Sequence, residues 1–179
     1  SSVKKHWLLA LIKGYPRELI TCVFIGGFAT VPFTTVLTFI NPVLMTKGYF
    51  TPHQLMLYQT MIVAIAIITI LTAGKIADKK SPNKVMQWGA LLLLVFSYPL
   101  LMLIDSGFLY LILIAQIIFI IINEVLLGPS NAYLKNAFPM HYRYRGSSFS
   151  FCLGMSLFGG LTPVVESYLY QWTGHFSAI

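Results

Sequence analysis

A chain of 179 residues with 57% hydrophobic and only 9% charged side chains has too little polar surface to cover a globule in water. Its net charge of +7 is dispersed among short segments, with no compact basic domain of the kind that binds nucleic acid. Those facts leave an all-α membrane protein. Five stretches without charge, or nearly so, reach the roughly 20 helical residues needed to cross a hydrocarbon core.

Residues 3–16, VKKHWLLALIKGYP, mix Lys, His and Trp with leucines at helical spacing. Residues 1–17 therefore read as a cytoplasmic amphipathic lead-in lying on the inner leaflet, broken at Pro16. That lead-in is unlike a cleaved signal peptide, and a chain opening at Ser1 reads as a piece of something longer. The transmembrane bundle is expected over residues 18–168, with spans at about 19–45, 54–74, 85–104, 108–134 and 146–165. Spans three and four, joined only by Asp105, Ser106 and Gly107, form a tight antiparallel hairpin, with Asp105 a loop residue. Residues 169–179 are expected as an outer-side tail, truncated before a last helix, because five spans leave a bundle one helix short of even.

Orientation follows from the basic residues. Of the 12 Lys and Arg residues, every one but Lys47 falls on the side holding the lead-in, the stretch after span two and the junction of spans four and five. The positive-inside rule makes that side cytoplasmic. The charge is thus a matter of topology and contact with anionic lipid. Trp7, Trp88 and Trp172 fall near the expected interfaces, as belt residues do.

Inside hydrocarbon a polar group without a partner is costly, so polar stripes point to a cavity or a helix interface. Thr30, Thr34, Thr38 and Asn41 share one face of span one at about 100° per residue, and Gly26, Gly27 and Pro32 interrupt the same helix. Threonine hydroxyls that merely bond back to their own helix are the alternative for this stripe. In span four, Gln116, Asn123, Glu124 and Asn131 fall within an arc of about 100°. Glu124 is the one ionisable residue well inside a span, roughly 24 Å from the outer end at about 1.5 Å per residue. Burial disfavours the charged form of a carboxyl, which suits a group that loads and releases a proton. A Glu structurally paired with an Asn, Arg or Lys of a missing half, or one that reaches the inner interface, is the other reading. Glu166 is expected near the outer surface, solvated. Tyr58 and Gln59, at the outer end of span two, are positioned to line a cavity, or in the case of Tyr58 to anchor at the interface.

Span five opens with Gly146, Ser150 and Gly154, the small-xxx-small spacing that lets backbones approach; Gly159 and Gly160, with Pro163, follow as further packing or bending positions. No catalytic constellation emerges, so the chain is not read as an enzyme. The four histidines are scattered over both sides, Cys22 and Cys152 sit within spans, and neither a metal site nor any cofactor is expected.

Two segments then look familiar. GKIADKKSPNKV, beginning at Gly74, resembles the loop motif of the major facilitator superfamily between the second and third helices of each six-helix half. Gly74, Ala77, Asp78 and Lys79 fit it, whereas Ser81 replaces a glycine, and Pro82 and Asn83 replace basic residues. FPMHYRYRGSSFSFCLGMSLFGGLTPVV resembles the junction of helices ten and eleven in the metabolite:proton symporter family, which includes proline/betaine transporters. Phe138, Pro139, Arg143, Tyr144, Gly146, Gly154, Phe158, Gly159, Gly160 and Pro163 carry that likeness, with Gly128, Pro129, Ala132 and Tyr133 before them. His141 and Cys152 depart from it.

The resemblance implies that the five spans correspond to helices seven to eleven of a twelve-helix fold. It also implies a bacterial inner-membrane symporter, with an N-terminal half elsewhere, in which two halves rock about a central site. The expected partners are a small polar or zwitterionic solute such as proline or betaine, protons and the lipid bilayer. The resemblance further implies that the Gly74–Lys79 stretch is a gating loop. Asp78 is expected to cap the first turn of span five and to pair with Arg143 or Arg145, with Lys79 at lipid phosphates. A non-transporting scaffold or assembly subunit, or an inactive truncated transporter fragment, are the competing readings.

Overall fold

The computed structural model describes the backbone of residues 7–179 and the side chains of residues 11–179. Positions 1–6 of the expected lead-in lie outside the described residues. Its remainder forms α1 (Trp7–Gly14), and Pro16 opens α2 (Pro16–Thr34). Proline is tolerated there because the first N–H groups of a helix have no intrahelical acceptor. Leu11 is buried among Cys22, Leu134 and Phe138, so α1 docks on one end of the bundle through that residue.

The first span does not stay α-helical. Pro32, inside α2, removes a donor from the i→i−4 ladder, and the next residues, Thr35–Ile40, take the wider π-helical winding. Regular winding resumes in α3 (Asn41–Thr46), after the Asn41 N–H donates five residues back to the Val36 carbonyl. The expected interruption of this helix is therefore a π segment three residues past the proline.

α4 (Pro52–Lys79) opens with a capping box. The Thr51 N–H donates to Gln54 Oε1 at 3.0 Å, and the Gln54 N–H donates to Thr51 Oγ1 at 3.3 Å. α5 (Pro82–Asp105) follows after only Lys80 and Ser81. Gly74 to Lys79, expected in a loop, are thus the last turns of α4. The apolar i, i+4 pair Ala73 and Ala77 is buried and carries the helix through them. α6 (Leu109–Leu127), α7 (Ser130–Ala137) and α8 (Arg143–Thr173) complete the bundle, and α8 stops at Gly174, whose φ of 71° is left-handed.

Among the described residues, five helical segments are long and apolar enough to cross a membrane: Pro16–Thr46, Pro52–Lys79, Pro82–Asp105, Leu109–Ala137 and Arg143–Thr173. They overlap the five expected spans and extend beyond them at most ends, most of all at the end of the fifth. Large apolar side chains such as Leu94 and Val164 point outward, as a lipid-facing surface requires.

α6 is the hub, packed on α5, α4 and α2, while α8 runs along α2. Small residues set these approaches. A Cβ on Gly154 would strike the Val23 carbonyl oxygen, and one on Gly26 the Phe151 carbonyl oxygen, so α2 and α8 touch backbone to backbone. Gly89 stands in the same relation to Leu126, and Gly128 to Ala73.

At the other end of the bundle Asp105, expected as a plain loop residue, has a structural task. Its carboxylate accepts from the backbone N–H groups of Phe176 at 2.7 Å and Ser177 at 2.8 Å. These bonds hold a 3-10 turn, Phe176–Ala178, against the bundle, with Phe176 buried against Phe39 and Tyr170. Lys47 lies over the Tyr170 and Phe176 rings at 5.4 and 5.1 Å. Asp105→Ala is expected to cost about 2–4 kcal/mol locally, from two charge-assisted bonds lost together. The check is amide exchange, which should accelerate over residues 174–179 and stay unchanged in α6.

Candidate functional site

The polar face of α6 is anchored by its middle residue. Asn123 is fully buried and its Nδ2 donates to the Ala29 carbonyl at 3.1 Å, joining α6 to α2. With Asn123 so held, the next residue around the helix, Glu124, is directed into a cavity of about 320 Å³ between α2, α4, α6 and α8. Thr30, Phe33, Asn131, Phe151 and Met155 share its walls. Glu124 is 4% exposed, and among the described residues no Lys, Arg or His nitrogen lies within 4.0 Å of it.

Thr30 spends its only proton on the Gly26 carbonyl at 2.8 Å, so it offers the cavity lone pairs alone. The cavity therefore presents a carboxyl, a hydroxyl acceptor, an amide and aromatic faces. That set suits a small solute bearing a cationic or N–H donor end, and equally a proton on Glu124.

The structure brings only part of the expected polar set together. Thr34 and Thr38 bond back to their own helix, at the Val31 and Thr30 carbonyls and at the Thr34 carbonyl, and Thr38 faces outward. Asn41 and Gln116 are fully buried with no hydrogen-bond partner for either amide, and neither reaches the cavity. Tyr58 is a core residue rather than an interfacial anchor, 7% exposed, its hydroxyl donating to the Leu113 carbonyl at 3.0 Å. Gln59 Nε2 donates to the Leu37 carbonyl at 3.3 Å, tying α4 to the π segment.

The expected gating pair is not formed. Asp78 and Lys79 are exposed at the end of α4, which packs chiefly on α6 and α5, and no Asp78–Arg143 or Asp78–Arg145 ion pair occurs among the described residues. Arg143 is half-buried with an unpartnered Nε, and Arg145 is exposed. Gly74 faces the Gly128 carbonyl at the α4–α6 crossing. Of the small residues in α8, Gly146 packs on the Phe138 ring and Gly159 on the Thr30 methyl, and Ser150 bonds back to the Gly146 carbonyl. Gly160 meets nothing within 4 Å, so it takes no part in this packing.

Glu166, expected to be solvated, is 3% exposed, and its Oε1 is hydrogen-bonded to Thr35 Oγ1. It was misplaced because SYLYQWT reads as a polar tail, whereas α8 continues through it to Thr173. One signal was present in the sequence. Glu166 follows Pro163 as Thr35 follows Pro32, each three residues past a helix-interior proline.

Residues 23–179 match the pattern of the Major Facilitator Superfamily. A Staphylococcus aureus (strain COL) protein, provisionally named a proline/betaine transporter, is 29% identical over 93% of this chain and 36% of its own length. An ectoine/proline transporter of Corynebacterium glutamicum is 26% identical over 63% of this chain and 23% of its own length. A citrate-proton symporter of Klebsiella pneumoniae is 25% identical over 85% of this chain and 36% of its own length. The chain thus spans little more than a third of the length of the curated relatives it matches. No solved structure matches it. Five apolar spans, a carboxyl-bearing cavity between them and a match over nearly the whole sequence converge on one assignment: the chain belongs to the Major Facilitator Superfamily.

Proposed function

We propose that the chain is the C-terminal part of a proton-coupled symporter that moves a small polar or zwitterionic metabolite, of the proline or betaine kind, by alternating access. In this reading its five spans stand for helices seven to eleven, its N-terminus is cytoplasmic, and an N-terminal half supplies the other wall of the pathway. The observation that carries the reading is Glu124, a buried carboxyl with no cation within 4.0 Å of it among the described residues, opening on a cavity bounded by Thr30, Asn131 and the Phe33 and Phe151 rings.

The chemistry of the cavity favours the solute class. A dicarboxylate needs fixed positive charge, and the walls of this cavity hold none, whereas a zwitterion can set its cationic end at Glu124 and the aromatic rings. The names of the staphylococcal and corynebacterial relatives agree with that class, and the citrate-proton symporter supports the coupling ion. The test is uptake by the intact protein in proteoliposomes under an imposed proton gradient, with proline, betaine and citrate offered separately. Accumulation of proline or betaine is the expected result. Accumulation of citrate alone would overturn the solute class, and no uptake of any of the three would overturn the symporter reading.

A further inference from the structure

Glu166 opens on a different space from Glu124. It lines a groove of about 1080 Å³ between α2 and α5, floored by Phe119 and Leu126 of α6. We infer that Glu166 is a second proton-binding site, neutral in this conformation, whose proton ties α8 to the π-helical turn of the first span.

The first ground is the carboxyl's surroundings. Oε1 meets Thr35 Oγ1, and Oε2 is buried with no partner. The titratable groups facing the same groove are Tyr98 of α5 and Tyr133 of α7. Nearby on α8 and its neighbours, Lys47 is placed over the Tyr170 and Phe176 rings, and His175 is turned to Asp105 at 3.9 Å. No Lys, Arg or His nitrogen comes within 4.0 Å of Glu166 among the described residues. An ionised carboxylate here would carry one oxygen with no donor and no countercharge, a state that buried carboxyls avoid by holding a proton.

The second ground is the donor count at Thr35. Its hydroxyl lies against two acceptors, Glu166 Oε1 and the Val31 carbonyl at 2.8 Å, and has one proton to give. A neutral Glu166 resolves the conflict: its O–H donates to Thr35 Oγ1, and Thr35 donates to Val31. When the proton passes from Oε1 to water in the groove, Thr35 must turn its own proton to the carboxylate. Thr34 Oγ1 also reaches the Val31 carbonyl, at 2.9 Å, and can take over that bond. The exchange is one hydroxyl rotation, and it is reversible. It falls on the carbonyl just before Pro32, one turn ahead of the π segment that opens at Thr35, so a charge on Glu166 is felt at the least regular part of the first span.

The proton site stands on this geometry alone. Only its coupling to solute movement rests on the symporter reading. The experiment therefore needs no transport: infrared spectra of the intact protein in nanodiscs over a pH series, together with hydrogen exchange over residues 31–41 corrected for intrinsic pH dependence. Wild type is expected to show two buried carboxylic-acid C=O bands at neutral pH. Glu166→Gln, which keeps the volume and the donor of the neutral acid, removes one of them, and Glu124→Gln removes the other. Thr35→Val moves the Glu166 band to higher frequency, because its hydrogen bond is gone. Exchange over residues 31–41 should quicken in wild type as pH rises and stay flat in Glu166→Gln. An infrared spectrum unchanged by Glu166→Gln, or the same exchange profile in both proteins, overturns the inference. Loss of uptake in Glu124→Gln or its retention bears on the symporter reading and leaves the Glu166 band and the exchange profile unaffected.

Discussion

Gly154→Val is expected to destabilise the bundle by about 3 kcal/mol or more, at the upper end of what overpacking costs. Its Cβ would sit on the Val23 carbonyl oxygen, with the Val23 carbonyl carbon at 2.9 Å and the Gly27 nitrogen at 3.0 Å. All three are backbone atoms, so no side chain can swing aside. α2 and α8 would have to separate along the seam where Gly26 also meets the Phe151 carbonyl. Thermal unfolding in detergent, followed by loss of monodisperse protein, measures the effect. Gly160→Ala is the control on the same helix. With nothing within 4 Å of the added carbon, it is expected to be neutral or to stabilise by up to about 1 kcal/mol, since alanine is the better helix former. Equal effects from the two substitutions would remove the backbone contact as the cause.

Glu124→Gln is expected to abolish uphill transport and leave exchange intact. Glutamine fills the same volume at the cavity wall and still offers hydrogen bonds to a solute, but it cannot load and release a proton. An imposed potential of about 100 mV is worth about 2.3 kcal/mol per charge, which sustains roughly 50-fold accumulation for one proton carried with each solute molecule. In Glu124→Gln that ratio should fall to about 1, the equilibrium value for an uncoupled solute. Exchange of labelled for unlabelled solute at equal concentrations needs no net proton movement and should persist. Loss of both activities would mark Glu124 as structural, and retention of accumulation would take it out of the coupling.

Much of this architecture was legible along the chain. Five apolar runs became five helical spans because the length of a run and its lack of charge are local properties that a bilayer reads directly. The arc shared by Asn123 and Glu124 followed from 100° per residue, and both are buried on α6. Gly154 stands at a backbone-to-backbone approach, as the small-residue spacing implied, whereas Gly146 meets the Phe138 ring. Back-bonding of Thr30, Thr34 and Thr38, the alternative weighed for that stripe, is also what the structure contains.

The departures share a different origin. Helical spacing states which residues of one helix lie together, but not which face of a neighbouring helix they meet. The resemblance implies that Asp78 pairs with Arg143 or Arg145, yet α4 lies chiefly against α6 and α5, and no such pair forms among the described residues. Gly160 follows Gly159 by 100° of rotation, and that rotation carries it from the Thr30 methyl to open space. Glu166 looked solvated because the residues after it are polar. Its burial depends on α8 continuing for another two turns and on the π winding that presents Thr35 to it. The sequence by itself determined the spans, the helical class and the polar content of each face, all of which are set by neighbours within a few residues. The tertiary structure decided which carboxyls face a cavity and which polar groups meet. Those outcomes depend on the relative rotation and depth of whole helices, and they are fixed by contacts such as Gly154 on Val23 that join residues more than a hundred positions apart.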